Sequence, residues 1–369
     1  MKTIMGGECK NMKRLFFVFV FAALLLGCSK RNPFSKSATV QNLKVGFIYN
    51  GMINDKSYVQ AQDAGRIELE RKGIRTMYVE NVPETEICKE VIKELIRQGC
   101  KMIFITSFGY STYVEEISTQ FPEIKFAQCL GDNVKKNLSC YSVRTYEARY
   151  LAGIVAGLKT TSNKIGYIAA DSTSECVRDI NAFTLGVKSV NPDANVYVRW
   201  TNSSSSYNEA KYGAEELLIG GCDVLTQQLD NINLYKVAKE KGAFLICNNF
   251  PVPEIAPNFY LTTVCSNWGV IILEEVQKYL EGTWEAQFYW EGLSSGAVGL
   301  SELSKVCVPG TKQSVEEAMR KIISGELKVF AGPLYDNNQN EKLKDGMELR
   351  FHDLWYMDWF VDGVKSNLN

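Results

Sequence analysis

Lys44-Val45-Gly46-Phe47-Ile48 returns as Lys164-Ile165-Gly166-Tyr167-Ile168, and this recurrence decides the fold. Each copy is a short run rich in β-branched and aromatic residues, the composition of a buried strand. The echo continues outward from both. Glu94-Leu95-Ile96 followed by Gly99-Cys100 returns as Glu216-Leu217-Leu218 followed by Gly221-Cys222, and Phe126 to Cys129 returns as Phe244 to Cys247. The offsets are 120, 122 and 118 residues. Separated matches at nearly one spacing mean that a single supersecondary unit is used twice.

That unit is βαβ. Strands are expected at 44–49, 76–80, 102–106, 125–129 and 142–145 in the first half, and at 164–169, 195–200, 224–227, 244–247 and 259–262 in the second. Amphipathic stretches lie between them. In 84–98, for instance, Ile87, Val91, Ile92, Leu95 and Ile96 recur at three- and four-residue spacings on one helical face. Strands alternating with helices make parallel sheets. The expected fold is therefore α/β, with two doubly wound lobes and a ligand cleft between them. Lobe one is expected over 43–145 and lobe two over 146–262, each completed by part of 263–369, with crossings near Thr145 and Thr262 acting as a hinge.

The first thirty residues are of another kind. Lys10, Lys13 and Arg14 precede an apolar run from Leu15 to Leu26, which meets Gly27 and Cys28. Twelve residues reach about 18 Å as a helix against a hydrocarbon core of about 30 Å, too short to span comfortably. Residues 1–27 are thus expected to be a signal peptide. Leu25-Leu26-Gly27-Cys28 resembles the bacterial lipobox, which implies cleavage before Cys28, lipid on its thiol and a tether over 28–42. Losing four basic residues and one acidic residue takes the formal charge from −1 to −4.

The 41 basic and 42 acidic residues nearly cancel, so nothing in the charge favours nucleic acid as a partner. Nine cysteines lie beyond Cys28, an odd number at wide spacings inside apolar runs, which reads as buried free thiols rather than a disulfide framework. No Cys-x-x-Cys occurs and His352 is the only histidine, which leaves a zinc site without support. No cofactor is implied. A phosphate loop and a His-Glu-x-x-His motif are absent from the sequence, so an enzyme is not expected; a carboxylate-only hydrolase is the remote alternative.

Ligands of open parallel sheets bind beyond the carboxyl ends of the strands. That rule nominates the loops 50–58, 107–110 and 130–132 on one side, and 171–175, 228–231 and 248–251 on the other. Within and beside them the chemistry suits a flat, polar-edged molecule. Tyr58 and Phe108 offer two aromatic faces, although core packing is an alternative for each. Asp55, Gln228, Asp230, Asn249 and Asn267 offer carbonyls, amides and carboxylates, although a solvated loop role is open to any one of them. No cluster of Lys and Arg awaits a phosphate, which points to a neutral solute.

Five stretches carry a resemblance: Ile105-Thr106-Ser107-Phe108-Gly109-Tyr110, Tyr146-Glu147-Ala148-Arg149-Tyr150-Leu151-Ala152-Gly153, Arg178-Asp179-Ile180-Asn181-Ala182-Phe183, Leu280-Glu281-Gly282-Thr283-Trp284 and Met357-Asp358-Trp359-Phe360. In this order they resemble the basic membrane lipoproteins, substrate-binding components of ABC transporters that include purine and purine-nucleoside receptors. The resemblance implies a fold similar to the type I periplasmic binding proteins. It further implies a purine-like ligand, an ABC permease as partner, and a lipid-anchored place on the outer face of a cell membrane. It draws Ser107 and Gly109 into the site beside Phe108, and sets Trp268 next to Asn267. Gln62 and Gln228 stand where relatives often carry histidine, and Pro251 where they often carry aspartate, so base, nucleoside and other heterocycles stay open. A receptor for another heterocycle or a sugar-like ligand that reports to a sensor is the alternative function.

Overall fold

The computed structural model describes residues 42–230 and 232–366. The signal peptide, Cys28 and nearly all of the tether lie outside the described residues, as does Asn231 of the 228–231 loop.

The first half runs β1 (Lys44–Ile48), α1 (Tyr58–Arg71), β2 (Arg75–Val79), α2 (Ile87–Arg97), β3 (Met102–Ile105), α3 (Ser111–Gln120), β4 (Lys125–Cys129) and β5 (Leu138–Val143). The second runs α4 (Thr145–Lys159), β6 (Lys164–Ala169), α5 (Ser174–Val190), β7 (Asn195–Trp200), α6 (Tyr207–Ile219), β8 (Val224–Gln228), α7 (Asn233–Lys241), β9 (Phe244–Asn249) and β10 (Tyr260–Ser266). The chain then adds α8 (Gly269–Glu281), β11 (Phe288–Glu291), β12 (Val298–Leu300), α9 (Thr311–Ser324), the pair β13 (Leu334–Tyr335) and β14 (Glu341–Leu343), α10 (Phe351–Trp355) and β15 (Val364–Lys365).

Two sheets result. The first has the order β11-β5-β4-β3-β1-β2, parallel throughout. The second has the order β12-β10-β9-β8-β6-β7-β15, parallel except where β12 meets β10. The repeated Lys-x-Gly run forms β1 in one and β6 in the other, each central in its sheet. The α/β architecture with two parallel-sheet lobes is therefore present. The chain passes between the sheets three times: after Val143, after Ser266, and from Glu291 to Val298.

Two strands differ from their expected extents. The fifth occupies Leu138–Val143 rather than 142–145, and all six of its residues are buried. Ser139 and Ser142 interrupt its apolar pattern in sequence, but the Ser139 hydroxyl donates to Glu275 Oε1 at 3.0 Å, so its burial is satisfied. Likewise the strand expected at 259–262 runs on to Ser266, because buried threonines find partners: Thr262 Oγ1 donates to the Ser301 carbonyl at 2.9 Å. Of the nine cysteines beyond Cys28 all are unpaired, and seven are buried.

Helix α4 departs from the amphipathic rule, since every residue from Tyr146 to Gly157 is buried. It lies tightly against α5, and small residues permit the approach. A methyl group at Gly153 would run into the Phe183 carbonyl, and one at Gly186 into the Tyr150 carbonyl. This close contact sets a charged residue of each helix, Arg149 and Asp179, side by side in the interior.

Candidate functional site

Arg149 and Asp179 are both buried, with side-chain exposures of 1% and 0%, and a charge so placed must be paired and hydrogen-bonded. Arg149 Nε donates to Asp179 Oδ2 at 3.4 Å, one terminal nitrogen to the Gln227 carbonyl at 3.3 Å, and the other to Asn248 Oδ1 at 2.6 Å. Asp179 also accepts from Thr145 Oγ1 at 2.8 Å and from Gln228 Nε2 at 3.3 Å. Gln228 in turn accepts from the Tyr167 hydroxyl at 3.1 Å. Burial pushes the Asp179 carboxyl up, and Arg149 and Arg178 pull it back. The result is a satisfied polar floor that locks the carboxyl ends of β8 and β9 to α4 and α5.

Above this floor lies a chamber of about 150 Å³, lined by Tyr58, Leu130, Thr145, Arg149, Glu175, Asp179, Gln228, Asp230, Asn248, Asn249, Ser266 and Trp268. An outer chamber of about 350 Å³ is lined by Phe108, Leu130, Asp132, Ser142, Thr173, Ser174, Glu175, Arg178, Trp355 and Tyr356. Leu130 and Glu175 belong to both, so the two adjoin. Their lining draws on both sheets, at the strand ends where the topology rule places a ligand. A further cavity of about 390 Å³, beside Arg144, Glu147 and Phe330, contains no residue of the six rim loops.

The aromatic wall of the inner chamber is Tyr58 and Trp268, which meet edge to face with centroids 6.0 Å apart. Tyr141 backs Trp268 in the same manner at 5.8 Å. The Tyr58 hydroxyl donates to the Thr106 carbonyl at 2.7 Å and accepts from Gln62 Nε2 at 3.2 Å. Its polar end is therefore committed to the first lobe. Trp268 is 3% exposed, and its Nε1 has no hydrogen-bond partner among the described residues. A buried donor of this kind is costly unless something accepts from it.

Two carboxylates complete the inner chamber. Glu175, in the first turn of α5, is pushed up to about 7 by burial and by Asp179 and Asp230. Asp230 opens to the cleft, yet the surrounding protein withdraws enough water, with Asp55 adding repulsion, to push it up to about 6.

The rims touch. Ser57 Oγ lies 3.5 Å from the Leu229 carbonyl and 3.5 Å from Asn249 Nδ2, and Lys56 Nζ lies 3.8 Å from Glu254. Three rim residues other than glycine take positive φ: Lys56 at 58°, Leu130 at 59° and Asn249 at 61°. Backbone held in that region costs free energy and gathers where loops are shaped for a ligand.

Of the expected site residues, Tyr58, Gln228, Asp230, Asn249 and Trp268 line the inner chamber and Phe108 the outer. Asp55 instead caps α1, accepting from the backbone nitrogens of Ser57, Val59 and Gln60 at 2.8–3.0 Å. Ser107 turns to Glu84, and Gly109 lies against the same carboxylate, where a methyl group would collide. Asn267 donates to the Gly296 carbonyl at 3.3 Å and so ties together the second and third passages between the sheets. Leu130, Glu175 and Asn248 belong to nominated rim loops but were not named as site residues, and Arg149, Asp179, Thr145 and Ser266 were not expected in the site. A signal for Arg149 existed: an arginine inside a helix with apolar residues on every face has to be paired.

Among the described residues no group of His, Cys, Asp and Glu is placed to hold a metal ion, and no helix is long and apolar enough to cross a membrane. Residues 42–332 match the family described as ABC transporter substrate-binding protein, PnrA-like. A purine-binding protein of Brucella abortus is 34% identical over 331 residues, covering 89% of this chain and 94% of the relative. A putative ABC transporter glucose-binding protein of Haloferax volcanii is 29% identical over 330 residues, covering 89% and 82%. Among solved structures, a solute-binding protein of an ABC transporter system from Conexibacter woesei superposes with a TM-score of 0.68 at 18% identity, covering 78% of this chain and 98% of that one, a likeness of fold.

Proposed function

The chain belongs to the PnrA-like family of ABC transporter substrate-binding proteins, and from that premise we propose that its cleft captures a purine base or nucleoside and hands it to a permease. As a member of the family it binds a small solute for ABC transport, and the family's role is binding rather than catalysis. The purine is supported by the inner chamber. A volume of about 150 Å³ is enough to take in a ring, and this chamber sets Tyr58 and Trp268 against a rim of hydrogen-bonding groups. The outer chamber leaves room for a ribosyl substituent. The relative from Brucella abortus is named for purine binding, in agreement.

The same reading includes lobes divided at 43–145 and 146–262 that hinge on their connections, and a mature protein held outside the cytoplasm by lipid on Cys28. Ring burial and several hydrogen bonds in a closed cleft supply about 8–11 kcal/mol, a dissociation constant between roughly micromolar and ten nanomolar. Calorimetry with adenine, guanine, adenosine, guanosine, inosine and AMP tests this. Heat from a base or nucleoside is expected, with AMP weaker because its phosphate has no cation cluster to meet. A preference for AMP, or no heat from any purine, rejects the reading. The relative from Haloferax volcanii keeps a sugar as the second reading, and glucose belongs in the same series.

A further inference from the structure

The polar groups of the inner chamber divide into those that satisfy one another and those that do not. Arg149, Asp179, Gln228 and Thr145 are committed to the floor network. Asp230 is held by Ser204. Glu175 differs from all of them: it lines both chambers and makes no hydrogen bond or ion pair among the described residues. Trp268, which lines the same chamber, carries at Nε1 a buried donor without a partner among the described residues. The chamber thus presents an unpartnered carboxyl group to whatever ring enters, against the wall that Trp268 helps to form.

Resting on the purine reading, we propose that Glu175 is a specificity-determining residue that reads the hydrogen-bonding edge of the ring, and that its protonation state decides which edge it accepts. An ionised carboxylate only accepts, so it matches two adjacent N–H donors, as on the ring N–H and amino edge of a guanine. A protonated carboxyl donates once and accepts once, so it matches the ring nitrogen beside the amino group of an adenine. Which form prevails is set by the groups that face it. Arg149 from α4 and Arg178 from its own helix favour the ionised form, but each is already engaged, with Asn248 and with the Leu354 carbonyl. Asp179 from the same helix and Asp230 from the loop after β8 favour the protonated form, as does burial, and Asp132 and Tyr58 approach from the other lobe. The balance leaves the carboxyl near 7, where both forms are populated. Above that pH an adenine takes up one proton with it; below, a guanine held by its ring N–H and amino edge releases one.

Calorimetry on the mature protein from pH 5.5 to 8.5, with adenine and guanine and their nucleosides, tests the inference in wild type and in Glu175→Gln. In wild type the adenine-to-guanine affinity ratio should fall by up to about tenfold per pH unit. Adenine titrations above pH 7 in buffers of differing ionisation heat should show the proton uptake. In Glu175→Gln the amide offers one donor and one acceptor at every pH, so the adenine-to-guanine ratio should lose its pH slope. Purine binding with a flat ratio in wild type, or a slope that survives in Glu175→Gln, overturns the inference and leaves the purine function standing. Absence of heat from every purine at every pH overturns both.

Discussion

Trp268 shows how one atom can be separated from a ring. Its indole packs edge to face on Tyr58 and Tyr141, while Nε1 stays buried and unpartnered among the described residues. Replacement by Phe keeps most of the packing and removes the donor. If a ligand accepts from Nε1, Trp268→Phe should weaken purine binding by about 1–1.5 kcal/mol, roughly five- to tenfold, with thermal stability almost unchanged. An unchanged affinity would assign the indole to packing alone. Gln62 makes a complementary case. It does not line the chamber; it holds the Tyr58 hydroxyl at 3.2 Å and accepts from Tyr141 at 3.4 Å, so its side chain orients the aromatic wall rather than touching the solute.

At the scale of elements, the α4–α5 contact positions the site from behind. Gly153 and Gly186 bring the two backbones together, and the approach lets Arg149 reach Asp179 and Asn248 at the same time. An added methyl has no space to enter. Gly153→Ala should force the helices apart at a cost of about 1–3 kcal/mol, seen as a lower urea midpoint at unchanged slope. It should also weaken ligand binding, because the floor network moves with the helices. A variant as stable as wild type would show that the pair yields more readily than its close packing indicates.

At the scale of the molecule, the rims meet through few and weak contacts. Ser57 to Leu229 and Asn249 are long hydrogen bonds, and the Lys56–Glu254 pair is exposed, worth about 0–1 kcal/mol. Such contacts do not hold two lobes shut by themselves, so ligand bridging the cleft should supply the difference. Small-angle scattering should accordingly show a smaller radius of gyration on saturation with a bound purine than without it. Equal radii, with binding confirmed by calorimetry, would remove the clamp.

The doubled Lys-x-Gly strands, their helices and the parallel sheets were legible from residues alone, because strand and helix formation follow local periodicity and the repeat offset carries the symmetry. Tyr58, Phe108, Gln228, Asp230 and Asn249 were legible as chamber residues because the strand-end rule needs only strand positions and side-chain chemistry, and Trp268 was legible through the family resemblance. Strand ends carrying Ser139 or Thr263 were not, since polar residues in a strand are buried only when a distant partner satisfies them. Nor were the partnerships of the site: that Asp55 spends both oxygens on a helix start, that Asn267 ties one lobe connection to another, that Arg149 is neutralised by Asp179, and that Glu175 is left without a partner among the described residues. Those depend on which atoms meet across α4, α5 and the two rims, distances that no local pattern encodes and that only the packed tertiary structure decides.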